Sequence, residues 1–143
     1  NGAAIFLNDA SSETVVRGNS ITDSGLFSIE ITSATDLLVE GNTIEQSQPG
    51  IGIQAARVGG TIRDNVIRGT NVGIQLMDGA SPEISGNTID ADGAAFEVHG
   101  GISPTVTDNE LCGDNAIMAV MRGAEPLDLS DTELCDAPLV FGE

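Results

Sequence analysis

The stretch GNTIEQSQPGIGI, residues 41–53, sets a tight turn at Gly41-Asn42 before an apolar residue, Ile44, and ends in an alternating Gly-Ile-Gly-Ile run. Its opening recurs along the chain. Anchored on asparagine, the copies read VVRGNSI at Asn19, LVEGNTI at Asn42, TIRDNVI at Asn65, EISGNTI at Asn87 and TVTDNEL at Asn109, with spacings of 23, 23, 22 and 22. A degenerate sixth copy, DLSDTEL, places Thr132 a further 23 residues on. A period near 22 sustained through most of a chain marks a solenoid, whose units bury a continuous core only by stacking.

Each copy follows the same plan. An apolar residue stands three before the anchor (Val16, Val39, Ile62, Ile84, Val106, Leu129) and another two after it (Ile21, Ile44, Ile67, Ile89, Leu111, Leu134). Gly18, Gly41, Asp64, Gly86, Asp108 or Asp131 precedes the anchor. These types tolerate the left-handed or bent backbone of a tight corner. A second run then alternates: LFSIEI, GIGIQA, VGIQLM, AAFEVH, AIMAVM. Period two over five or six residues is a strand signal. The initial AAIFL has the same character and starts an incomplete coil. Leucine-rich repeats share the period, but the L-x-x-L-x-L pattern and the helical segment are missing. The expected fold is therefore all-β, a single-stranded right-handed parallel β-helix of about six coils of 22–23 residues. At about 4.8 Å per coil, six would make a rod roughly 29 Å long.

Composition agrees with one domain spanning residues 1–143. With four Phe, no Trp and no Tyr, the core must be aliphatic. There are 22 acids against five Arg, no Lys, and a formal net charge of −17. That argues against nucleic acid, which needs basic contacts to phosphate, and against anionic membrane surfaces. It also disfavours polyanions such as pectin or alginate unless a cation bridges them. The acidity reads as a solvated exterior, with adaptation to salt as one source of it. No apolar run approaches a membrane span, so no membrane insertion is expected.

Stacking turns residues one period apart into ladders. Asn19, Asn42, Asn65, Asn87 and Asn109 form one column, with Thr132 as its last member, and are assigned a structural role. Arg17, Glu40 and Arg63 alternate in another, and Glu45, Arg68 and Asp90 in a third. Opposite charges across neighbouring strands attract, each pair contributing about 0.2–1 kcal/mol. Cys112 and Cys135 share a column 23 residues apart. Adjacent strands place Cα atoms about 4.8 Å apart, inside the disulfide window of roughly 4.4–6.8 Å. A Cys112–Cys135 disulfide is expected, and with it an oxidising, extracellular, cell-surface or periplasmic location. Asp108 and Glu110 stack on Asp131 and Glu133. Four crowded carboxylates are candidate ligands for Ca²⁺, with a merely solvated acidic surface as the alternative.

The pattern [I/V]-x-G-N-x-I followed by G-I-x-[I/L] resembles the right-handed β-helix repeats of pectate-lyase-like proteins. Within these it is most similar to the NosD-like and general β-helix repeats of secreted and surface proteins, over about residues 3–135. The resemblance implies an asparagine ladder at the corner and, in enzymes of the group, a substrate lying along an outer face. The group also holds lyases, hydrolases, epimerases and non-catalytic modules, so fold alone does not assign function.

The outer face is expected to carry the column Glu30, Gln54, Gln75, Glu97 and Ala119. It is flanked by a small column of Ser28, Gly52, Gly73 and Ala95 on one side and by Met77, His99 and Met121 on the other. Such a polar strip suits sugar hydroxyls, with an idle solvent face as the alternative, and no aromatic platform is expected beside it. His99, the one histidine, is a weak catalytic candidate, because a general base needs a substrate pose and an orienting partner. VHGG matches the Gly-His-Gly element of polygalacturonase-like hydrolases only in part. Lyase-like elimination would need an Arg or Lys base, and Arg57 and Arg122 are the two arginines left unassigned. Six coils without long insertions leave nothing to wall a cleft. No amphipathic helix caps either end, so the chain is expected to be a segment of a longer protein or to associate end to end.

Three functions follow as expectations. The first is a non-catalytic secreted or surface module acting as a rigid scaffold or a weak carbohydrate-binding face, with polysaccharide as partner and no cofactor beyond possible Ca²⁺. The second is a truncated or minimal polysaccharide lyase or glycoside hydrolase. The third is an adhesin or assembly element pairing through exposed coil ends.

Overall fold

A computed structural model describes residues 2–10, 13–46, 50–102, 104–113, 117–125, 127–135 and 141–142. Residues 47–49 of the quoted stretch, and Ala116 of the predicted AIMAVM run, lie outside these. The described residues form sixteen strands and no α-helix: β1 (Ala3–Leu7), β2 (Val15–Arg17), β3 (Ser20–Thr22), β4 (Phe27–Ile31), β5 (Ala34–Glu40), β6 (Thr43–Glu45), β7 (Ile51–Ala56), β8 (Val58–Arg63), β9 (Val66–Met77), β10 (Glu83–Ser85), β11 (Thr88–His99), β12 (Thr105–Thr107), β13 (Glu110–Cys112), β14 (Ile117–Arg122), β15 (Glu133–Leu134) and β16 (Phe141–Gly142). Among the described residues, no helix is long and apolar enough to cross a membrane.

The strands make two parallel sheets. The larger runs β1-β4-β7-β9-β11-β13-β15, with β3, β6, β14 and β16 continuing its surface, and the smaller runs β2-β5-β8-β10-β12. The chain thus winds as a parallel β-solenoid of about five turns, some 23 residues apart. Registers follow the predicted columns. Val16 pairs with Val39, Val39 with Ile62, Ile62 with Ile84, and Ile84 with Val106. Ile21, Ile44, Ile67, Ile89, Leu111 and Leu134 are likewise successive partners. The AAIFL segment begins the first coil, pairing in parallel with β4.

Both apolar columns face the interior. Ile44, Ile62, Ile67, Ile84, Ile89 and Leu111 have no exposed surface, and with Ile29, Ile53, Ile74 and Phe96 they form one continuous core. Each aliphatic side chain removed from water in this way contributes about 1.5–3 kcal/mol.

The corner before each anchor is left-handed where expected: φ is 66° at Gly18, 62° at Gly41, 55° at Asp64, 64° at Gly86 and 52° at Asp108. Aspartate can replace glycine there because its short polar side chain tolerates this backbone region.

The turn delivers the asparagine side chain inward, where it is bonded on every side. The side-chain oxygen of Asn42 accepts from the backbone N–H and the amide of Asn19, at 3.0 and 2.9 Å. Asn65, Asn87 and Asn109 repeat the arrangement coil by coil. Each amide also donates to a carbonyl of the preceding coil: Asn42 to Val16, Asn65 to Val39, Asn87 to Ile62 and Asn109 to Ile84. Thr132 does not extend the ladder. Its hydroxyl oxygen is buried without a hydrogen-bond partner, and its N–H closes a local turn onto Leu129.

The remaining ladders are mostly as predicted. Glu40 lies between Arg17 (3.0 Å) and Arg63 (3.4 Å), and the Arg17 bond foremost holds its carboxyl below the ordinary value. Glu45 faces Arg68 at 4.0 Å. Cys112 and Cys135 form the disulfide, with Cα atoms 5.0 Å apart.

The predicted small column is a correction. Ser28, Gly52, Gly73 and Ala95 are buried rather than part of the outer strip. A Cβ on Gly52 would meet the Ile67 side chain at 2.7 Å, which shows that this position packs against core isoleucines. Burial of Ser28 is made possible by Gln46, whose amide donates to the hydroxyls of Ser24 and Ser28 while its oxygen accepts the Ser24 N–H.

Candidate functional site

The outer column is a hydrogen-bonded chain of side chains. Strand register stacks Glu30 on Gln54, Gln54 on Gln75, and Gln75 on Glu97. The amide of Gln54 donates to the Gln75 oxygen at 2.6 Å, and the amide of Gln75 donates to Glu97 Oε1 at 2.8 Å. Gln54 also reaches the sulfur of Met77 at 3.5 Å. The same Oε1 lies 2.9 Å from His99 Nε2 and 3.3 Å from the Arg122 guanidinium. Three donor groups therefore converge on one carboxylate oxygen, and the Glu97 side chain is only 12% exposed. Burial pushes its carboxyl upward, but the bonds from Gln75, His99 and Arg122 outweigh this and hold it below the ordinary value of 4.5.

Two of the expected columns shift by one residue at the end of the strip. Glu97 stacks on Val120, not Ala119, and Ala119 is buried on Phe96. His99 stacks on Arg122, while Met121 falls beneath Val98 and packs on the core. The cause is one extra residue. Asp90 pairs with Cys112, 22 residues on, but Ala94 pairs with Ile117, 23 residues on, so the insertion falls between Cys112 and Ile117. It brings Arg122 to Glu97 and gives His99 a charged neighbour on each side, a constellation the sequence did not suggest.

An aromatic side chain does stand on the strip. Phe6 of β1 is the register partner of Glu30 and is 55% exposed. The column thus reads Phe6, Glu30, Gln54, Gln75, Glu97, Val120. Beside it is an open depression of about 230 Å³ lined by Leu26, Gly50, Ile51, Asn71, Val72, Gln75 and Glu97. Ile51 is half-buried and lines this depression rather than the core. The surface therefore combines an apolar floor with amide and carboxylate edges, which is the chemistry that recognises a ligand with one apolar and one polar face.

The four acids proposed for calcium are all exposed, and Glu110 is in register with Glu133. Among the described residues, the metal-type side chains whose donor atoms converge are Glu110, Cys112 and Cys135.

An all-parallel β-solenoid with a bonded corner ladder defines the chain as a β-helix protein. Residues 1–126 match the family model described as the right handed beta helix region, and the chain belongs to that family. Comparisons with curated proteins and with solved structures return no match.

Proposed function

We propose that the chain is a non-catalytic β-helix module of a secreted or surface protein, serving as a rigid scaffold that offers the strip from Phe6 to Glu97 as a weak carbohydrate-binding face. One observation carries this reading: Glu97 Oε1 is already engaged by Gln75, His99 and Arg122. A carboxylate held in this way is suited to fixing the orientation of neighbouring donors and poorly suited to trading protons. Phe6 supplies an apolar plate and the glutamines supply amide edges. The Cys112–Cys135 disulfide supports surroundings that are not reducing. With a net charge of −17, neutral glycans are favoured over polyanions, which would require Ca²⁺ as a bridge, with Asp108, Glu110, Asp131 and Glu133 as the acids nearest to that role.

The second reading is a truncated polysaccharide lyase or glycoside hydrolase. It is favoured by the His99–Glu97 contact of 2.9 Å, which gives the histidine the orienting partner a general base requires. A screen of neutral glycans and uronate polymers, with and without Ca²⁺, separates the two. Saturable binding without turnover supports the module. Turnover abolished by His99→Ala supports the enzyme. Concentration-dependent mass in light scattering would favour an assembly element instead.

A further inference from the structure

Cys112 ends β13, and Cys135 follows β15 directly. Glu110 stands two residues before Cys112, so the pleat sends both side chains to one face. Glu110 Oε1 lies 3.9 Å from Cys112 Sγ and 3.1 Å from Cys135 Sγ. Glu133 is its register partner on the neighbouring strand. Glu110 and Cys135 are exposed and Cys112 is half-buried, so small molecules reach the sulfurs.

The geometry points to a second state of this disulfide: once reduced, Cys112, Cys135 and Glu110 form a site for a zinc-type divalent cation, with the fourth position left to water or Glu133. In tetrahedral zinc sites, Zn–S near 2.3 Å and Zn–O near 2.1 Å set an S···O separation of about 3.6 Å. The two separations found here bracket that value. The sulfurs must part to about 3.8 Å, a modest opening for side chains on strands whose Cα atoms are 5.0 Å apart. Two thiolates favour zinc over calcium, which distinguishes this site from an all-carboxylate one.

The switch needs a reductant, and a small monothiol suffices. Its thiolate attacks Sγ of Cys135, breaking the protein S–S bond and releasing the Cys112 thiolate. A second monothiol attacks the mixed disulfide, releases the Cys135 thiolate and leaves as the oxidised dimer. Two electrons pass to the protein sulfurs, and the metal then displaces any thiol protons into solvent.

The test uses the whole chain reduced with a water-soluble phosphine, then titrated with Zn²⁺ by calorimetry and with Co²⁺ by absorption. The expected result is one metal per reduced chain, with thiolate-to-cobalt charge-transfer absorption, and none per oxidised chain. Glu110→Gln weakens binding at least about tenfold, the lower end of what loss of even an outer-sphere partner costs. Circular dichroism follows the fold. A reduced chain that loses β-structure and regains it on adding Zn²⁺ supports the site as well. Equal binding by oxidised protein, absence of the charge-transfer band, or unchanged affinity in Glu110→Gln would overturn the proposal.

Discussion

Asn65 accepts two hydrogen bonds from Asn42 on a single side-chain oxygen, one from the backbone N–H at 3.0 Å and one from the amide at 2.9 Å. Asn65 then donates to Asn87 and to the Val39 carbonyl, so one fully buried side chain ties three coils together. Replacement by alanine leaves the buried Asn42 N–H without its acceptor and takes one donor each from the Val39 carbonyl and the Asn87 oxygen, while the Asn42 amide keeps Val16 and Glu40. At about 1–3 kcal/mol for the orphaned donor, with the other lost bonds adding to it, Asn65→Ala is expected to lose about 2–4 kcal/mol. Urea unfolding of the variant beside the wild type checks this, and a loss below about 1 kcal/mol would mean the ladder is incidental.

Thr132 marks where the ladder stops. Its buried hydroxyl is unpartnered, whereas an asparagine there could accept from Asn109 as Asn109 accepts from Asn87. Thr132→Asn is expected to raise stability by about 1 kcal/mol, the net value of a typical hydrogen bond. A neutral or lower unfolding free energy would show that the last corner, where Asp131 lacks the left-handed backbone of its counterparts, cannot present the side chain.

Gly73 has no room for a methyl group. A Cβ there would stand 2.7 Å from the Ala95 carbonyl oxygen and would also strike the Ile89 side chain. Gly73→Ala is expected to cost about 1–3 kcal/mol through overpacking. The thermal midpoint of the variant tests this, and an unchanged midpoint would contradict the tight inner packing assigned to this column.

Glu97 sets part of the acid sensitivity. Its folded-state pKa lies below the ordinary 4.5, so its contribution is complete above that value and is lost as pH falls through the folded one. The melting temperature of the wild type should therefore exceed that of Glu97→Gln most at about pH 6. The gap should close as pH falls below 4.5 and through the folded value, where a neutral carboxyl faces His99 and Arg122. A difference independent of pH would show that the carboxylate is not held by its donors.

Much of this architecture was legible because a solenoid writes its contacts into its period. The anchors, the two apolar columns, the Arg17–Glu40–Arg63 alternation and the disulfide needed only residues one period apart. The outer strip was harder. Gly52 and Gly73 look like solvent positions in an alternating run, but a Cβ at either would strike a core isoleucine, Ile67 or Ile89. One inserted residue after Cys112 moved Arg122 onto Glu97; the repeat records it as a spacing of 23 rather than 22 from Asn109 to the degenerate anchor Thr132, which does not say where in the coil the extra residue falls. Phe6 is not legible in the repeat because it sits in the incomplete first coil, whose pairing with Glu30 becomes visible only in register.

The most direct test of the binding face is a titration of isotopically labelled protein with neutral oligosaccharides, followed by NMR. The account predicts saturable shifts in the side-chain amides of Gln54 and Gln75 and in the ring of Phe6, weakened by Phe6→Ala and by Gln75→Ala without loss of the fold. Saturable binding whose shifts fall elsewhere on the β-helix, or no shifts with any glycan, would contradict it.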